Sequence, residues 1–390
     1  MRATAEKLRL SEISPKIMQS EIRSMTVECD RIGGVNLAQG VCDTEVPAPV
    51  VESAIQAIHD GYNIYTRLDG VAPLRHAITQ KLERYNGLTA DPESEILVTS
   101  GATGALYAAC LALFDPGDEV ILFEPFYGYH LNTLLSVRAV PVAVPMAMQT
   151  WEIDLDALRA AITPRTKAII VNSPANPCGK VFTLPELEAI AALAEEHDLF
   201  ILTDEIYEYF VYDGAKHISP ATLPGMAERT ITISGLSKTF SITGWRVGYL
   251  VADKRWLGSI GYFHDLTYVC SPSPFQYGAA AGLMQLPDTF YTEMVAEYQA
   301  KRDQFCTALS EAGLTPSVPP GAYYVLADAS SLPGATAKEK ARNLLREKKV
   351  AGVAGTAFFT GGRGENVLRF CFAKRDEDLL RACDLLRRNN

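Results

Sequence analysis

Long apolar runs, an excess of basic charge and clustered metal ligands are all missing from this chain, and each absence closes off a class of function. No stretch approaches the roughly 18 apolar residues that cross a bilayer. The first residues, Met1-Arg-Ala-Thr-Ala-Glu-Lys-Leu-Arg9, carry charge where a secretory leader carries its apolar segment. Lysine and arginine number 36 against 46 aspartates and glutamates, and the net charge of -10 is spread along the sequence. Nucleic acid, which needs a concentrated basic patch, is therefore not an expected partner, and neither is a membrane. Eight cysteines are present, but they stand apart with no CxxC pair, and the six histidines never fall into HExxH spacing. This pattern speaks against a zinc site or a disulfide framework and for reduced thiols in a cytoplasmic protein without a metal. No GxGxxG follows the first core strand, which speaks against a nicotinamide-binding protein. Internal repeats and low-complexity tracts are absent too.

What is present is a globular chain of 390 residues, enough for one large and one smaller domain or for two to three domains. Residues 1 to about 45 begin with a helix-like stretch and reach a short strand over Val35–Val41. Helical patterns follow over Pro49–Asp60 and Pro73–Tyr85, the latter with Leu74, Ile78 and Leu82 spaced by four. From Ile96 to Val251 apolar strands alternate with helices, the helix from Leu184 having Thr183 as its expected cap. Continuous apolar strands of this kind form a mostly parallel sheet covered on both faces, with ligands beyond the strands' carboxyl ends. Asp288–Ala312 reads as one long helix. Strands over Ala322–Ala327 and Val367–Phe372, with helices at Ala337–Lys348 and Glu377–Arg388, complete a smaller α+β module. The expected division is 46–287 for the large α/β domain and 1–45 with 288–390 for the small one.

The polar residues of interest fall just past the predicted strands. Ser100-Gly-Ala-Thr-Gly104 opens a helix, where small residues expose N–H groups that favour an anion, although many ordinary strand-to-helix turns look alike. Asn172-Ser-Pro-Ala-Asn-Pro-Cys-Gly179 is a rigid turn that can aim Asn176 at a ligand or merely satisfy its own backbone. Asp204, at the mouth of an apolar strand, suits a helix cap, a metal ligand or the partner of a buried cation. The stretch Ser234-Gly-Leu-Ser-Lys-Thr-Phe-Ser-Ile-Thr-Gly-Trp-Arg-Val-Gly-Tyr249 places Lys238 and Arg246 between two strands. It reads either as a solvated polar loop or as the seat of an active lysine. Together these groups suit a cofactor with a phosphate, a basic ring nitrogen and an electrophilic carbonyl, such as pyridoxal phosphate.

The motifs Ser237-Lys-Thr-Phe-Ser-Ile-Thr-Gly-Trp-Arg-Val-Gly-Tyr249, Asn172–Gly179 and Thr203-Asp-Glu-Ile-Tyr207, in that setting, resemble the class I/II aminotransferases of the fold type I pyridoxal 5'-phosphate enzymes. The resemblance runs from about Asn36 to Arg369. It implies that Lys238 carries the cofactor as a Schiff base and shuttles the substrate's Cα proton, and that Asp204 keeps the pyridine nitrogen protonated. Asn176 and Tyr207 would bond the cofactor's phenolic oxygen. Gly101, Ala102 and Thr103 would cradle the phosphate together with Ser237 and Arg246, and Tyr127 would stack on the ring. Tyr65 would reach the phosphate of a neighbouring subunit in a homodimer. Arg369 would clamp the substrate α-carboxylate, assisted by Asn172 and the backbone of Gly40.

Three positions depart from the family pattern. Gly235 stands where a phosphate-binding serine or threonine is usual, leaving Ser234 or Ser237 to compensate. Cys178 replaces a common threonine, and Gly40-Val-Cys-Asp-Thr44 lacks the usual Pro-Asp-Phe-Pro tail. The expected function is ping-pong transamination between an amino acid and a 2-oxo acid. The alternative is a C–S β-lyase acting on cysteine conjugates or cystathionine, because the same fold and lysine serve elimination. A ligand-sensing module of a transcription regulator would need a DNA-binding domain before Asn36. Aromatic residues expected near the entrance (Tyr62, Tyr65, Tyr127, Tyr268, Tyr323) would favour a large apolar or aromatic side chain.

Overall fold

Thirteen strands and the helices between them, in a computed structural model that describes residues 8–17 and 21–388, form three sheets. In chain order the strands are β1 (Val35–Asn36), β2 (Ile96–Ser100), β3 (Glu119–Glu124), β4 (Val140–Pro145), β5 (Thr166–Asn172), β6 (Phe200–Asp204) and β7 (Thr230–Gly235). They continue with β8 (Val247–Val251), β9 (Thr315–Ser317), β10 (Tyr324–Asp328), β11 (Val350–Ala351), β12 (Val353–Ala354) and β13 (Val367–Cys371). The central sheet has the order β2-β8-β7-β6-β5-β3-β4. Its strands are parallel except β8, which runs against both neighbours.

Alternation within these strands explains why they read as unbroken apolar runs. Ile121, Phe123, Ile169, Val171 and Ile201 face one core layer, while Val120, Leu122, Ala168, Ile170 and Leu202 face the other. Each buried Val, Ile, Leu or Phe contributes about 1.5–3 kcal/mol, so both faces are committed to burial and the register cannot slip by one residue. The helix Leu184–Glu196 starts on a capping box in which Thr183 Oγ1 accepts from Glu186 N–H and Glu186 Oε2 accepts from Thr183 N–H. Such a cap is worth about 1 kcal/mol.

Helices Lys254–Tyr268 and Ser273–Gln285 leave little trace in the sequence pattern. The second, Ser-Pro-Phe-Gln-Tyr-Gly-Ala-Ala-Ala-Gly-Leu-Met-Gln, is buried along most of its length and so has no amphipathic period to read. Its glycines allow close approach: a Cβ on Gly278 would lie 2.5 Å from the Val50 carbonyl of the helix Ala48–His59. Of the helix-like stretch expected at the start, residues 1–7 lie outside the described residues, and a helix runs over Glu21–Ile32. The expected strand over 35–41 is only β1, which pairs in parallel with β11. The remaining four strands form an antiparallel sheet, β12-β13-β10-β9. No described helix is long and apolar enough to cross a membrane.

Candidate active site

The carboxyl ends of β5, β6 and β7 lie side by side, because Asn172 pairs with Asp204 in register and β7 runs alongside β6. Asp204 Oδ2 accepts a hydrogen bond from His130 Nε2 at 2.8 Å, and Oδ1 accepts from the Ile206 N–H at 3.2 Å. Asn172 holds this corner together: its Nδ2 donates to the Asp204 carbonyl at 2.9 Å and its Oδ1 accepts from Asn176 N–H at 2.8 Å. Glu205 and Glu208 anchor the same turn through buried bonds, Glu205 to Ser219, Thr203 and His217, and Glu208 to Lys81, Asn86 and Ser234. Lys238 leaves the end of β7 and its Nζ donates to the Gly40 carbonyl at 3.1 Å. That ammonium lies 5.9 Å from the ring centre of Tyr207 and 5.7 Å from that of Tyr323. Burial pushes its pKa below that of an ordinary lysine, and the charge of Arg246 acts in the same direction. A desolvated amine of this kind is a better nucleophile near neutrality than a solvated one.

The turn between β2 and the helix Gly101–Leu113 forms a second feature. Gly101 has φ +72, and a side chain there would run into the Arg246 guanidinium. Helical geometry leaves the first-turn N–H groups of Ala102 and Thr103 without intrahelical acceptors. Arg246 donates to the Thr243 carbonyl at 3.0 Å and forms no ion pair among the described residues. A helix start and an arginine without a carboxylate thus face one place, which suits a phosphate. Gly248 makes the approach possible, since its Cβ would lie 2.5 Å from the Gly101 carbonyl carbon. Gly235 pairs with Gly248 across the β7–β8 ladder and is buried there. Ser234 is turned away, its hydroxyl donating to Glu208 Oε1 at 2.9 Å, so Ser237 is the serine left for the cradle.

Arg369, on β13, is 1% exposed. Its Nη1 donates to Asn176 Oδ1 at 3.0 Å and its Nη2 to the Ala38 carbonyl at 2.6 Å, while its buried Nε has no partner. The guanidinium carbon lies 4.5 Å from the Tyr324 ring centre and 4.7 Å from that of Phe358. No carboxylate neutralises this buried cation among the described ion pairs, which leaves it suited to an anion from outside.

A sequence model of the aminotransferase class I and II family matches residues 32–386. The chain belongs to the class I and II aminotransferases. It is 37% identical to a probable N-succinyldiaminopimelate aminotransferase of Mycobacterium tuberculosis, over 91% of this chain and 92% of that protein. It is 35% identical to aromatic-amino-acid aminotransferase 2 of Thermococcus litoralis, over 97% of each. The solved structure of N-succinyldiaminopimelate aminotransferase from M. tuberculosis superposes with a TM-score of 0.94 at 36% identity, covering 97% of this chain and 99% of that one. The protein is a pyridoxal-phosphate-dependent aminotransferase of fold type I.

The residues present in this aminotransferase fit that cofactor: a desolvated lysine, a carboxylate held by His130 and an unneutralised arginine at a helix start. The structure brings Lys238, Asp204, Asn176, Tyr207 and Arg369 together. The Tyr207 hydroxyl bonds Tyr324 Oη at 2.9 Å, and Asn172 bonds the Asp204 carbonyl and the Asn176 N–H. Tyr323 is fully buried beside Lys238 and so does not line an entrance; of these two adjacent tyrosines it is Tyr324 that lies against Arg369. Tyr127 is half-buried, stacked on Tyr129 with His130 at its edge, whereas Tyr65 is 78% exposed. His130, Tyr324 and Phe358 are the site residues that sequence reasoning missed. The signal for His130 was its place three residues after Tyr127, in the first turn of the helix Gly128–Ser136 that Tyr127 caps.

Proposed function

We propose that this aminotransferase moves the amino group of an L-amino acid with a large apolar or aromatic side chain onto a 2-oxo acid, by a ping-pong mechanism, as a cytoplasmic homodimer. Residues 46–287 act as the cofactor-binding domain and 1–45 with 288–390 as the small domain. The observation that carries the substrate class is the aromatic setting of the carboxylate site, where Tyr324 and Phe358 lie within 4.7 Å of the Arg369 guanidinium, with Tyr127 and Tyr129 on the cofactor side. The Thermococcus relative is named for aromatic substrates, which supports the same reading.

Bound pyridoxal phosphate supplies an electrophilic carbonyl and a ring that takes up the electrons released at the substrate Cα. The chain's own residues do the rest. Lys238 takes the proton from the substrate Cα and returns it on the other side of the transfer. Asp204, oriented by His130, holds a proton on the ring nitrogen, and Asn176 with Tyr207 donates to the phenolic oxygen. Ala102, Thr103, Ser237 and Arg246 hold the phosphate. Arg369 binds the α-carboxylate through its free N–H groups, with Asn172 and Gly40 fixing the backbone around it. The exposed apolar side chains Ile64 (79%) and Tyr65 (78%) support a partner surface through which Tyr65 reaches the second subunit's phosphate.

A donor panel with 2-oxoglutarate tests the reading. Phenylalanine, tyrosine, kynurenine and methionine should react fastest; reaction with dicarboxylic donors alone would overturn it. Cystathionine in the same panel should give a new amino acid, whereas release of pyruvate with ammonia would establish the lyase alternative.

A further inference from the structure

Glu124 ends β3 three residues before Tyr127, and it is 1% exposed. A carboxylate in such a place is tolerated only when donors and a cation surround it. All of those donors come from one distant segment. Thr360 gives its N–H and its hydroxyl to Oε2, each at 2.6 Å, and Arg363 gives Nη1 to Oε1 at 2.8 Å. Arg363 also reaches the Met146 carbonyl at 3.1 Å, and Phe126 N–H donates to the Phe358 carbonyl at 3.0 Å. The segment is closed at its base, where a Cβ on either Gly355 or Gly364 would lie 2.5 Å from the other's backbone. Between these glycines sits Phe358, buried and 4.7 Å from the Arg369 guanidinium carbon.

We propose that Glu124 is a positioning residue for carboxylate recognition. It pins the 355–364 loop to the end of β3, and the pinned loop keeps Phe358 against Arg369. The inference rests on the reading of Arg369 as the carboxylate site. An aromatic ring beside a guanidinium restricts the cation and keeps water from it, so its remaining N–H groups meet an incoming carboxylate already oriented. Released from Glu124, the loop loses its ion pair and two short bonds at once, leaving Phe358 its backbone bonds to Gly355 and Phe126 and its packing in the core. One residue thereby ties the end of β3, three residues before Tyr127, to the arginine on β13.

The test compares Glu124→Gln and Arg363→Met with the parent enzyme, each loaded with pyridoxal phosphate. Two quantities are read: the Kd of 3-phenylpropanoate, an unreactive carboxylate, and kcat and KM with phenylalanine and 2-oxoglutarate. Kd and both KM values should rise about tenfold, the factor equivalent to about 1.4 kcal/mol. At the same time kcat should stay within about twofold, with cofactor content and visible absorbance unchanged. The double variant should cost less than the sum of the two single ones, because they share the Glu124–Arg363 pair while each also has a partner of its own. Thr360→Ala, which leaves every charge in place, should move Kd in the same direction if Glu124→Gln does not fold. Unchanged Kd and KM, or a fall in kcat and cofactor content alone, would overturn the proposal. Arg369→Met separates the two levels: if it loses carboxylate binding while Glu124→Gln does not, only the positioning role falls. If Arg369→Met binds like the parent, the reading of the site falls with it.

Discussion

His264 offers a sharp test of how the phosphate cradle is held. It lies on the helix Lys254–Tyr268, fully buried, and its Nε2 accepts the Ser100 N–H at 3.0 Å. Accepting that bond requires an unprotonated Nε2, so the folded protein must keep the ring neutral. Burial pushes its pKa down from 6.5 to about 4, against a smaller opposing pull from Asp265. Between these values the unfolded chain takes up a proton that the folded chain refuses. The stability that depends on neutral His264 is therefore complete above about pH 6.5 and is lost progressively as the pH falls toward 4. At about 1.4 kcal/mol per unit, the whole window corresponds to roughly 3 kcal/mol, most of it already lost at about pH 4.5. His264→Gln removes the titration while leaving an amide oxygen that can accept from Ser100. Urea unfolding of both proteins at about pH 7.5 and about pH 4.5 should show the parent losing roughly 2–3 kcal/mol more than the variant. Equal losses in the two proteins would refute the reasoning.

Other substitutions probe the site directly. Lys238→Ala should bind pyridoxal phosphate without a covalent bond and lose at least about 10³-fold in turnover, checked by mass after borohydride reduction and by rate. Gly40→Ala would drive a methyl group into the Tyr324 hydroxyl, so it should lower stability by about 1–3 kcal/mol in urea and weaken carboxylate binding with it. His130→Phe leaves Asp204 without its ring donor; kcat should fall about tenfold to a hundredfold while Kd for 3-phenylpropanoate stays unchanged.

The central sheet was legible because its strands are buried on both faces and punctuated by glycine and proline turns. The chemistry was legible where a motif is contiguous, as at Lys238 and Arg246, which share one connection between β7 and β8. It was not legible where partners meet across the chain. Glu124 and Arg363 are 239 positions apart, and Arg369 meets Asn176 across 193. Neither spacing has a period to detect. Tyr323 and Tyr324 show the limit within a single dipeptide: both are aromatic and buried, yet only Tyr324 lies against Arg369. Ser273–Gln285 escaped notice for the opposite reason, since a helix buried all round carries no contrast between faces.

The pairing of β1 with β11 sets an order of events during synthesis. Val35 must wait for Val350, about 315 residues later, which at about 5–20 residues per second is roughly 15–60 s. In that interval the nascent chain already holds Lys238, Asp204 and Arg246, the groups proposed to face the cofactor. The Gly40 carbonyl that receives Lys238, carried just beyond β1, cannot be placed until β11 has emerged, and Arg369 arrives later still. On the proposed reading of the site, a ribosome-bound chain thus carries its cofactor-facing side chains before it carries the arginine that meets a substrate carboxylate.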